Sequence, residues 1–94
     1  MREIKESGQF KRDLKREAKG LYRAVIGFEL LEVVEILAKD QELPAKNRDH
    51  ALSGDWKGFR DCHIKPDLVL IYRKPDADTL QLFRLGSHAE VGLK

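Results

Sequence analysis

The chain of 94 residues contains three histidines, all in its second half and near residues that would complete a site for phosphodiester chemistry. The five candidate catalytic residues are His50, His63, Asp67, Arg84 and His88. Cleavage of RNA by its own 2′-hydroxyl needs a base, an acid and a cation beside the phosphorus. Histidine serves as acid or base near neutral pH, and arginine binds two phosphate oxygens at once. The residue types therefore favour an RNA-cleaving site.

Cofactor and metal chemistry have weaker support in the sequence. It contains neither a nucleotide-binding glycine loop nor an HExxH-type metal motif. The single cysteine, Cys62, excludes an internal disulfide and a cysteine-based zinc site, and its strand-like neighbours indicate a buried apolar group. A metal site made by the three histidines is conceivable, but their spacing does not demand it. We therefore predict no cofactor and no metal ion.

The C-terminal part of the chain is predicted to fold as an antiparallel meander. Its strands span residues 57–64, 68–73 and 80–85, and the second of them is apolar on both faces, which is typical of a central strand. A proline at each connection, in residues 65–66 and 74–78, supplies the turn chemistry. The strands therefore run back and forth beside one another.

This topology brings four of the candidates to one end of the sheet. His63 ends the first strand of the meander, beside Asp67 at the start of the second. The third strand runs back, so that Arg84 and His88 arrive next to Asp67. The side chains are then separated by only a few strand spacings of ~4.8 Å. Topology alone predicts this cluster, whereas the position of His50 is left open.

His50 belongs to residues 44–56, which read as a loop rich in Asn, Asp, Ser and Gly. Long ordered loops in small domains are often functional, and this one is long enough to reach the cluster. Trp56 and Phe59 flank the end of the loop. Aromatic residues there either stack on RNA bases or pack in the core.

The first half of the chain reads as a short strand followed by two helices. Residues 2–6 form a weak strand, and Ser7 offers a cap for a helix that ends near Gly20. The predicted buried stripe of that helix is Phe10, Leu14, Ala18 and Leu21. A second helix is predicted over residues 23–39. Helices that precede an antiparallel meander indicate an α+β fold with the helices packed on one sheet.

Length and charge limit which classes of protein the sequence can represent. The chain is short enough for one domain, residues 1–94, and its net charge is only +2. Residues 1–20 carry a local charge of +3 and residues 21–40 a local charge of −2, which suits either a polyanion-binding surface or two solvated helix faces. The sequence shows no signal-peptide pattern and no membrane-spanning run, so we expect a soluble, cytoplasmic protein.

Residues 49–72 resemble the YafQ branch of the RelE toxin superfamily. The family pattern there is D-H-x-L-x-G-x-W-K-x-[FY]-R-[DE]-x-H-[IV]-x-P-D followed by an apolar strand that ends in tyrosine, and this chain matches it throughout. Residues 84–88 match the closing R-x-G-[ST]-H of the family. A pattern of this length is specific, and residues 49–88 carry it densely. The helical half resembles the family only in layout.

The resemblance implies a RelE-like fold and a ribosome-dependent mRNA endonuclease that works without a metal ion, the toxin of a type II toxin–antitoxin pair. By the same analogy, the three histidines and Asp67 are catalytic and Arg84 contacts phosphate. His88 is then the expected acid, and His50 or His63, oriented by Asp67, the base. Residues expected to contact RNA are Lys15 and Arg16 of the first helix and, around the loop, Trp56, Lys57, Phe59, Arg60, Asp61 and Lys65.

The implied partners are messenger RNA in the ribosomal decoding site and a cognate antitoxin, a DinJ-like ribbon-helix-helix protein whose acidic tail wraps the basic surface of the toxin. The chain departs from the family in one respect. The family commonly has an aromatic residue about four positions beyond the last histidine, thought to stack near the scissile nucleotides. Residues 89–94 contain no aromatic residue, so Val91 or Leu93 is the alternative occupant of that space.

Two other classes of function remain open at this stage. The first is a non-catalytic ParE-like toxin or binding module on the same scaffold, a group that lacks the histidine set. The second is a standalone RNA- or protein-binding domain in which the histidines are structural. The combination of three histidines with Asp67 favours the nuclease over both.

Overall fold

A computed structural model describes residues 1–93 and contains one sheet with helices packed on one of its faces. The elements are β1 (Glu3–Glu6), α1 (Gly8–Ala18), α2 (Arg23–Ile26), α3 (Glu29–Ala38), β2 (His50–Ala51), β3 (Arg60–Lys65), β4 (Leu68–Arg73) and β5 (Thr79–Gly86). The five strands lie in the order β1-β5-β4-β3-β2. The pairs along β2 to β5 are antiparallel, whereas β1 pairs with β5 in parallel. The predicted α+β class and the meander are confirmed.

α1 begins at the predicted cap, but the face that it buries differs from the prediction. Ser7 Oγ accepts a hydrogen bond from the Phe10 amide at 2.9 Å and donates one to the Phe83 carbonyl of β5 at 2.7 Å. Below Phe10 the buried side chains are those of Asp13 and Glu17, while Leu21 beyond the helix is 90% exposed. The predicted stripe holds for Phe10 and Leu14, which pack in or against the core, and is wrong for Ala18 and Leu21. Asp13 bonds to β5, and this contact sets which face of the helix meets the sheet.

The helix predicted over residues 23–39 is interrupted at Gly27. α2 ends there, and α3 starts after Phe28, whose φ of −137° and ψ of −71° are not helical. Glycine inside a helix costs about 1 kcal/mol relative to alanine, so a break there is cheap. The break lets α3 turn Leu30 and Leu37 onto the sheet and leaves the Phe28 ring exposed.

The sheet is covered on both faces around β4. Leu68, Leu70 and Tyr72 pack toward the helices, and Val69 and Ile71 pack on the opposite face. On that opposite face lies a second core, made of Val69, Ile71 and Val91 with Leu52, Trp56, Phe59, Phe83 and Leu93 around them. β4 is therefore a central strand, as its two apolar faces predicted. The second core lies on the same face of the sheet as the candidate site.

Residues 44–56 are more ordered than the predicted loop. They contain a 3-10 helix at Ala45–Asn47, the strand β2 and a second 3-10 helix at Gly54–Trp56. Asn47 is buried and its Nδ2 donates to the carbonyl oxygen of His63 at 2.8 Å, which fastens the segment to β3. Within residues 1–93, no helix has the length and apolar character needed to cross a bilayer.

Candidate active site

Three strands carry the core of the site in one row. His63 of β3 lies opposite Val69 of β4, and Val69 lies opposite Gly86 at the end of β5. The chain then leaves β5 and delivers His88, whose ring centroid is 5.1 Å from that of His63 with the two rings edge to face. The structure therefore places these two imidazoles in contact.

Asp67 joins this pair through His88. One carboxylate oxygen, Oδ1, lies 2.7 Å from His88 Nδ1 and also accepts a hydrogen bond from the His88 amide at 3.1 Å. The hydrogen bonds from His88 hold the pKa of Asp67 below its usual range. An ionised partner at Nδ1 fixes the ring orientation and the Nδ1–H tautomer, so Nε2 is the atom free to exchange a proton. The expectation that Asp67 orients His50 or His63 was therefore wrong, since the residue it orients is His88.

His50 is connected to the cluster through a buried carboxyl. It faces Asp61 across the β2–β3 pair, and its Nδ1 lies 2.8 Å from the Arg48 carbonyl and 3.1 Å from Asp61 Oδ1. Only the carbonyl has hydrogen-bond geometry, so Asp61 Oδ1 is buried and receives no hydrogen bond from the described residues. Burial raises the pKa of Asp61, while the nearby charges of His50, His63 and His88 oppose that rise. Asp61 thus lies among all three histidines.

Replacing Asp61 with asparagine is expected to keep or raise the thermal unfolding midpoint at neutral pH. A carboxyl whose pKa is higher in the folded than in the unfolded chain costs stability when it ionises. That cost appears as the pH rises above the ordinary carboxyl pKa and through the raised folded pKa, so the unfolding midpoint of the variant should increase relative to that of wild type over this rise in pH.

The matched control is Asp67→Asn, for which the opposite sign is expected. The pKa of Asp67 is depressed, so its ionised form stabilises the fold above the ordinary pKa, and that contribution disappears as the pH falls through the folded value. Asp67→Asn should therefore be less stable than wild type at neutral pH and equal to it in acid. If both variants changed with pH in the same direction, the assignment of Asp61 as the penalised carboxyl would be wrong.

Arg84 makes internal contacts that the sequence did not indicate. Its Nε donates to Asp13 Oδ2 at 2.8 Å, and its Nη2 donates to the Glu90 carbonyl at 3.1 Å. Asp13 is fully buried, and its Oδ2 also accepts from the Leu85 amide at 3.0 Å. Burial alone would raise the pKa of Asp13, but the hydrogen bonds from Arg84 and Leu85 outweigh it and lower the value. The guanidinium thus joins α1 to β5, in place of the expected position beside Asp67.

Arg16 also has a structural role, because it holds the turn that carries His88. Its Nη2 donates to the Leu85 carbonyl at 2.9 Å, and its Nε lies 3.2 Å from Glu90 Oε2. The other oxygen of Glu90 accepts from the Ser87 amide at 2.9 Å, and the Glu90 amide donates to Ser87 Oγ at 3.1 Å. This reciprocal pair is a capping box. A Cβ at Gly86 would lie 2.6 Å from Arg16 Nη2, so a larger residue there would displace this guanidinium.

The other residues expected to contact RNA divide into two groups. Most are engaged within the protein. Trp56 and Phe59 pack with Phe83 at centroid distances of 5.8 and 4.8 Å, and Asp61 is 2% exposed. Two cations form ion pairs, since Arg60 Nε lies 3.2 Å from Asp49 and Lys65 Nζ lies 2.9 Å from Glu29. Asp61 is buried and has no surface to offer a base or phosphate, so that expectation was wrong, whereas Trp56 and Phe59 are only partly buried against the second core. Lys15 and Lys57 are exposed and form no ion pair within residues 1–93.

The position four residues beyond His88, where the family commonly has an aromatic, is occupied by Gly92. Its φ of +85° is one that glycine adopts without strain, and the Leu93 amide returns to the His88 carbonyl at 2.8 Å. Val91 is buried in the second core and Leu93 packs against it. A groove of about 380 Å³ lined by His88, Ala89, Gly92 and Leu93 remains beside the site.

The site residues do not form a ready-made metal centre. Within residues 1–93, no three His, Cys, Asp or Glu side chains come together to share an ion. Cys62 is free and buried, as predicted, and burial raises the pKa of its thiol. The arrangement offers acid–base groups: His63 and His88 in contact, Asp67 orienting one of them, and His50 beside Asp61.

The fold and its acid–base cluster fit the class of small bacterial toxin domains that the sequence pattern indicated. A family model described as the bacterial toxin of a type II toxin–antitoxin system, YafQ, matches residues 2–92. The chain belongs to this family, and the resemblance is confirmed.

Relatives and solved structures agree with that placement. A putative toxin YafQ from Haemophilus influenzae is 42% identical over 97% of this chain and 92% of its own length. The mRNA interferase toxin YafQ of Escherichia coli K12 is 38% identical over 94% of this chain and 92% of its own length. Both therefore match this chain nearly end to end.

Among solved structures, YafQ from E. coli BL21(DE3) has a TM-score of 0.84 at 36% identity, covering 97% of this chain and 98% of that one. YafQ in the E. coli DinJ–YafQ toxin–antitoxin complex has a TM-score of 0.81 at 37% identity, covering 96% of each chain. A copper-bound mutant toxin from Helicobacter pylori has a TM-score of 0.84 at 42% identity, covering 97% of this chain and 99% of that one. The predicted RelE-like architecture is confirmed.

Proposed function

We propose that this protein is a ribosome-dependent endoribonuclease that cleaves messenger RNA and thereby stops translation. The observation that carries the proposal is the contact between His63 and His88 with Asp67 bound to His88 Nδ1. Two adjacent imidazoles, one of them held by a carboxylate, provide separate groups for proton removal and proton donation. Membership of a toxin family whose E. coli K12 relative is named an mRNA interferase supports RNA as the substrate.

In this mechanism the 2′-hydroxyl of the target nucleotide attacks its own 3′-phosphorus and the 5′-oxygen leaves. His88 donates the proton to the leaving oxygen from Nε2, since its Nδ1 is held by Asp67. His63 or His50 removes the proton from the 2′-hydroxyl. Each proton transfer contributes roughly 10²–10⁴-fold to the rate. The ribosome presents the messenger in its decoding site, which places the activity in the cytoplasm.

The direct test is to incubate the protein with ribosomes that are translating a defined messenger and to map the new 5′ ends. We expect discrete cuts in ribosome-bound messenger and none in the same RNA without ribosomes. The cuts should persist in EDTA at a concentration that leaves the ribosomes intact, because the proposed acid and base are side chains. Loss of cleavage in EDTA and its return with added copper would contradict the metal-independent mechanism.

The rate of cleavage is expected to rise and then fall between about pH 5 and pH 9. One histidine must be neutral to accept a proton and another charged to donate one, so both extremes of pH remove a needed form. The pKa of Asp67 is held low, so its carboxylate stays ionised across this range. Single-turnover rates on preformed ribosome complexes would measure the profile, and a flat profile would assign the proton transfers to the ribosome.

The proposed partner is a DinJ-like ribbon-helix-helix antitoxin, supported by the DinJ–YafQ complex of the E. coli relative. Its acidic tail would cover exposed cations such as Lys15 and Lys57. A short reading frame for such a protein directly upstream of this one, and recovery of a stable complex after co-expression, would support the pairing. A complex that leaves cleavage unimpaired would contradict it.

A further inference from the structure

A groove of about 460 Å³ begins at His63 and extends between the 3-10 helix Ala45–Asn47 and the turn after β3. Three basic side chains line it, those of Lys46, Arg48 and Lys65. The length of this segment suggested a function in the sequence, but the proposed chemistry uses only His50 from it. The groove therefore has a composition and a location that the proposed mechanism does not explain.

Two of the three cations at the groove have no counter-ion among residues 1–93. Lys65 Nζ lies 2.9 Å from Glu29, whereas Lys46 and Arg48 are exposed and form no ion pair within the described part of the chain. By contrast, Arg16 and Arg84 are neutralised by acids of the protein. Lys46 of the 3-10 helix and Arg48 directly after it therefore supply the uncompensated positive charge next to His63.

The backbone holds these two cations against the catalytic cluster. Asn47, which lies between them, is buried and donates to the His63 carbonyl at 2.8 Å. Arg48 has a φ of +47° and a ψ of +47°, a left-handed backbone conformation that residues other than glycine adopt at a cost in free energy. In this conformation its carbonyl oxygen lies 2.8 Å from His50 Nδ1. One short segment therefore positions both cations and contacts both histidines.

We propose that Lys46 and Arg48 bind the phosphates of the RNA strand that flank the scissile bond. The inference rests on the proposed function, since it names how that site holds its substrate. A groove with unpaired cations along its wall is the usual way a protein tracks a single-stranded backbone without reading its sequence. Lys46, Arg48 and His63 line the same groove, so the flanking phosphates would be bound directly beside the reacting phosphorus.

The test measures binding apart from cleavage, in the background of the His88→Ala full-length protein. A fluorescein-labelled single-stranded RNA is titrated with this protein and with its Lys46→Gln/Arg48→Gln derivative at several salt concentrations. Each phosphate contact on a single strand contributes about 0.7 to the slope of log affinity against log salt, so loss of two contacts should lower that slope by about 1.4. Between about 50 and 200 mM salt, the ratio of the two affinities should therefore shrink about sevenfold.

The matched control is Lys5→Gln/Lys11→Gln, which removes the same charge from exposed lysines of β1, at the opposite edge of the sheet, and of α1. We expect its slope to equal that of the parent, and Lys46→Arg/Arg48→Lys to restore the parent slope. An unchanged slope in the groove variant, or no saturable RNA binding by the parent at low salt, overturns the proposal. The same two proteins are also titrated with poly-glutamate. If the groove variant keeps its RNA affinity but loses affinity for poly-glutamate, the proposal is overturned, because the groove is then a site for an acidic protein.

Failure of this inference is distinguishable from failure of the proposed function. If wild type cuts ribosome-bound messenger while the groove variant keeps its salt slope, the nuclease stands and the groove assignment is wrong. If the slope falls as expected while wild type cuts nothing, the groove binds RNA and the assigned activity is wrong.

Discussion

Replacement of His88 with alanine is expected to slow cleavage of ribosome-bound messenger by about 10²–10⁴-fold. The substitution removes the imidazole that Asp67 orients and that lies against His63. In the proposed mechanism the leaving oxygen then loses its proton donor. The measurement is the single-turnover rate at saturating protein, which separates chemistry from binding. The variant should still compete with wild type for the ribosome, because the groove beside His63 and the exposed lysines are untouched.

Two companion variants sharpen this result. Asp67→Asn keeps the His88 ring but weakens its orientation, so its rate should fall between those of wild type and His88→Ala. Lys5→Gln, at the far edge of the sheet, should cleave like wild type. A rate for His88→Ala indistinguishable from that of wild type would remove His88 from the catalytic set and would favour a non-catalytic toxin on this scaffold.

Asp13→Ala is expected to lower the free energy of unfolding by about 3 kcal/mol, the lower end of the range for removal of one partner from a buried ion pair. Asp13 is fully buried and accepts hydrogen bonds from Gln9, Arg16, Arg84 and the Leu85 amide, so its loss removes an acceptor that four residues share. The side chain of Arg84 is 19% exposed and can recover some hydration, which is why the lower end applies. Urea denaturation at neutral pH measures the change.

The control for Asp13 is Glu35→Ala, which also removes a helix carboxylate bonded to a cation, here Lys39 on the surface of the protein. No resolvable change is expected there, because exposed pairs contribute little. The pKa of Asp13 is lowered in the folded chain, so its contribution is present above the ordinary carboxyl range and is lost as the pH falls through the folded value. The gap between wild type and Asp13→Ala should accordingly close in acid. Equal effects of the two variants at neutral pH would contradict the structural role of Asp13.

The predictions that succeeded rest on contacts between residues close in sequence. Proline turns and an apolar strand defined β3, β4 and β5, and the hairpins then brought His63 and His88 together. Strand alternation also indicates that Asp61 lies on the same face of β3 as His63, because the two residues are two positions apart. That spacing places Asp61 in the site, where its burial excludes RNA contact.

The predictions that failed depend on partners far away in the chain. Asp13 lay outside the predicted buried stripe and Arg16 was expected to contact RNA, because nothing near them in sequence shows that Arg84, Leu85 and Glu90 arrive on their side of α1. A helical pattern assigns charged residues to the surface, and a buried ion pair between α1 and β5 reverses that assignment. For the same reason the guanidinium of Arg84 was expected at the phosphate.

The parallel pairing of β1 with β5 has a consequence for the making of the protein. Glu3 lies beside Thr79 in the finished sheet, 76 residues further along the chain. At synthesis rates of roughly 5–20 residues per second, β1 waits about 4–15 s for its partner strand to be translated. His88 and the capping turn around it come later still. The acid–base cluster therefore cannot assemble until residue 88 has been translated, later than every strand of the sheet.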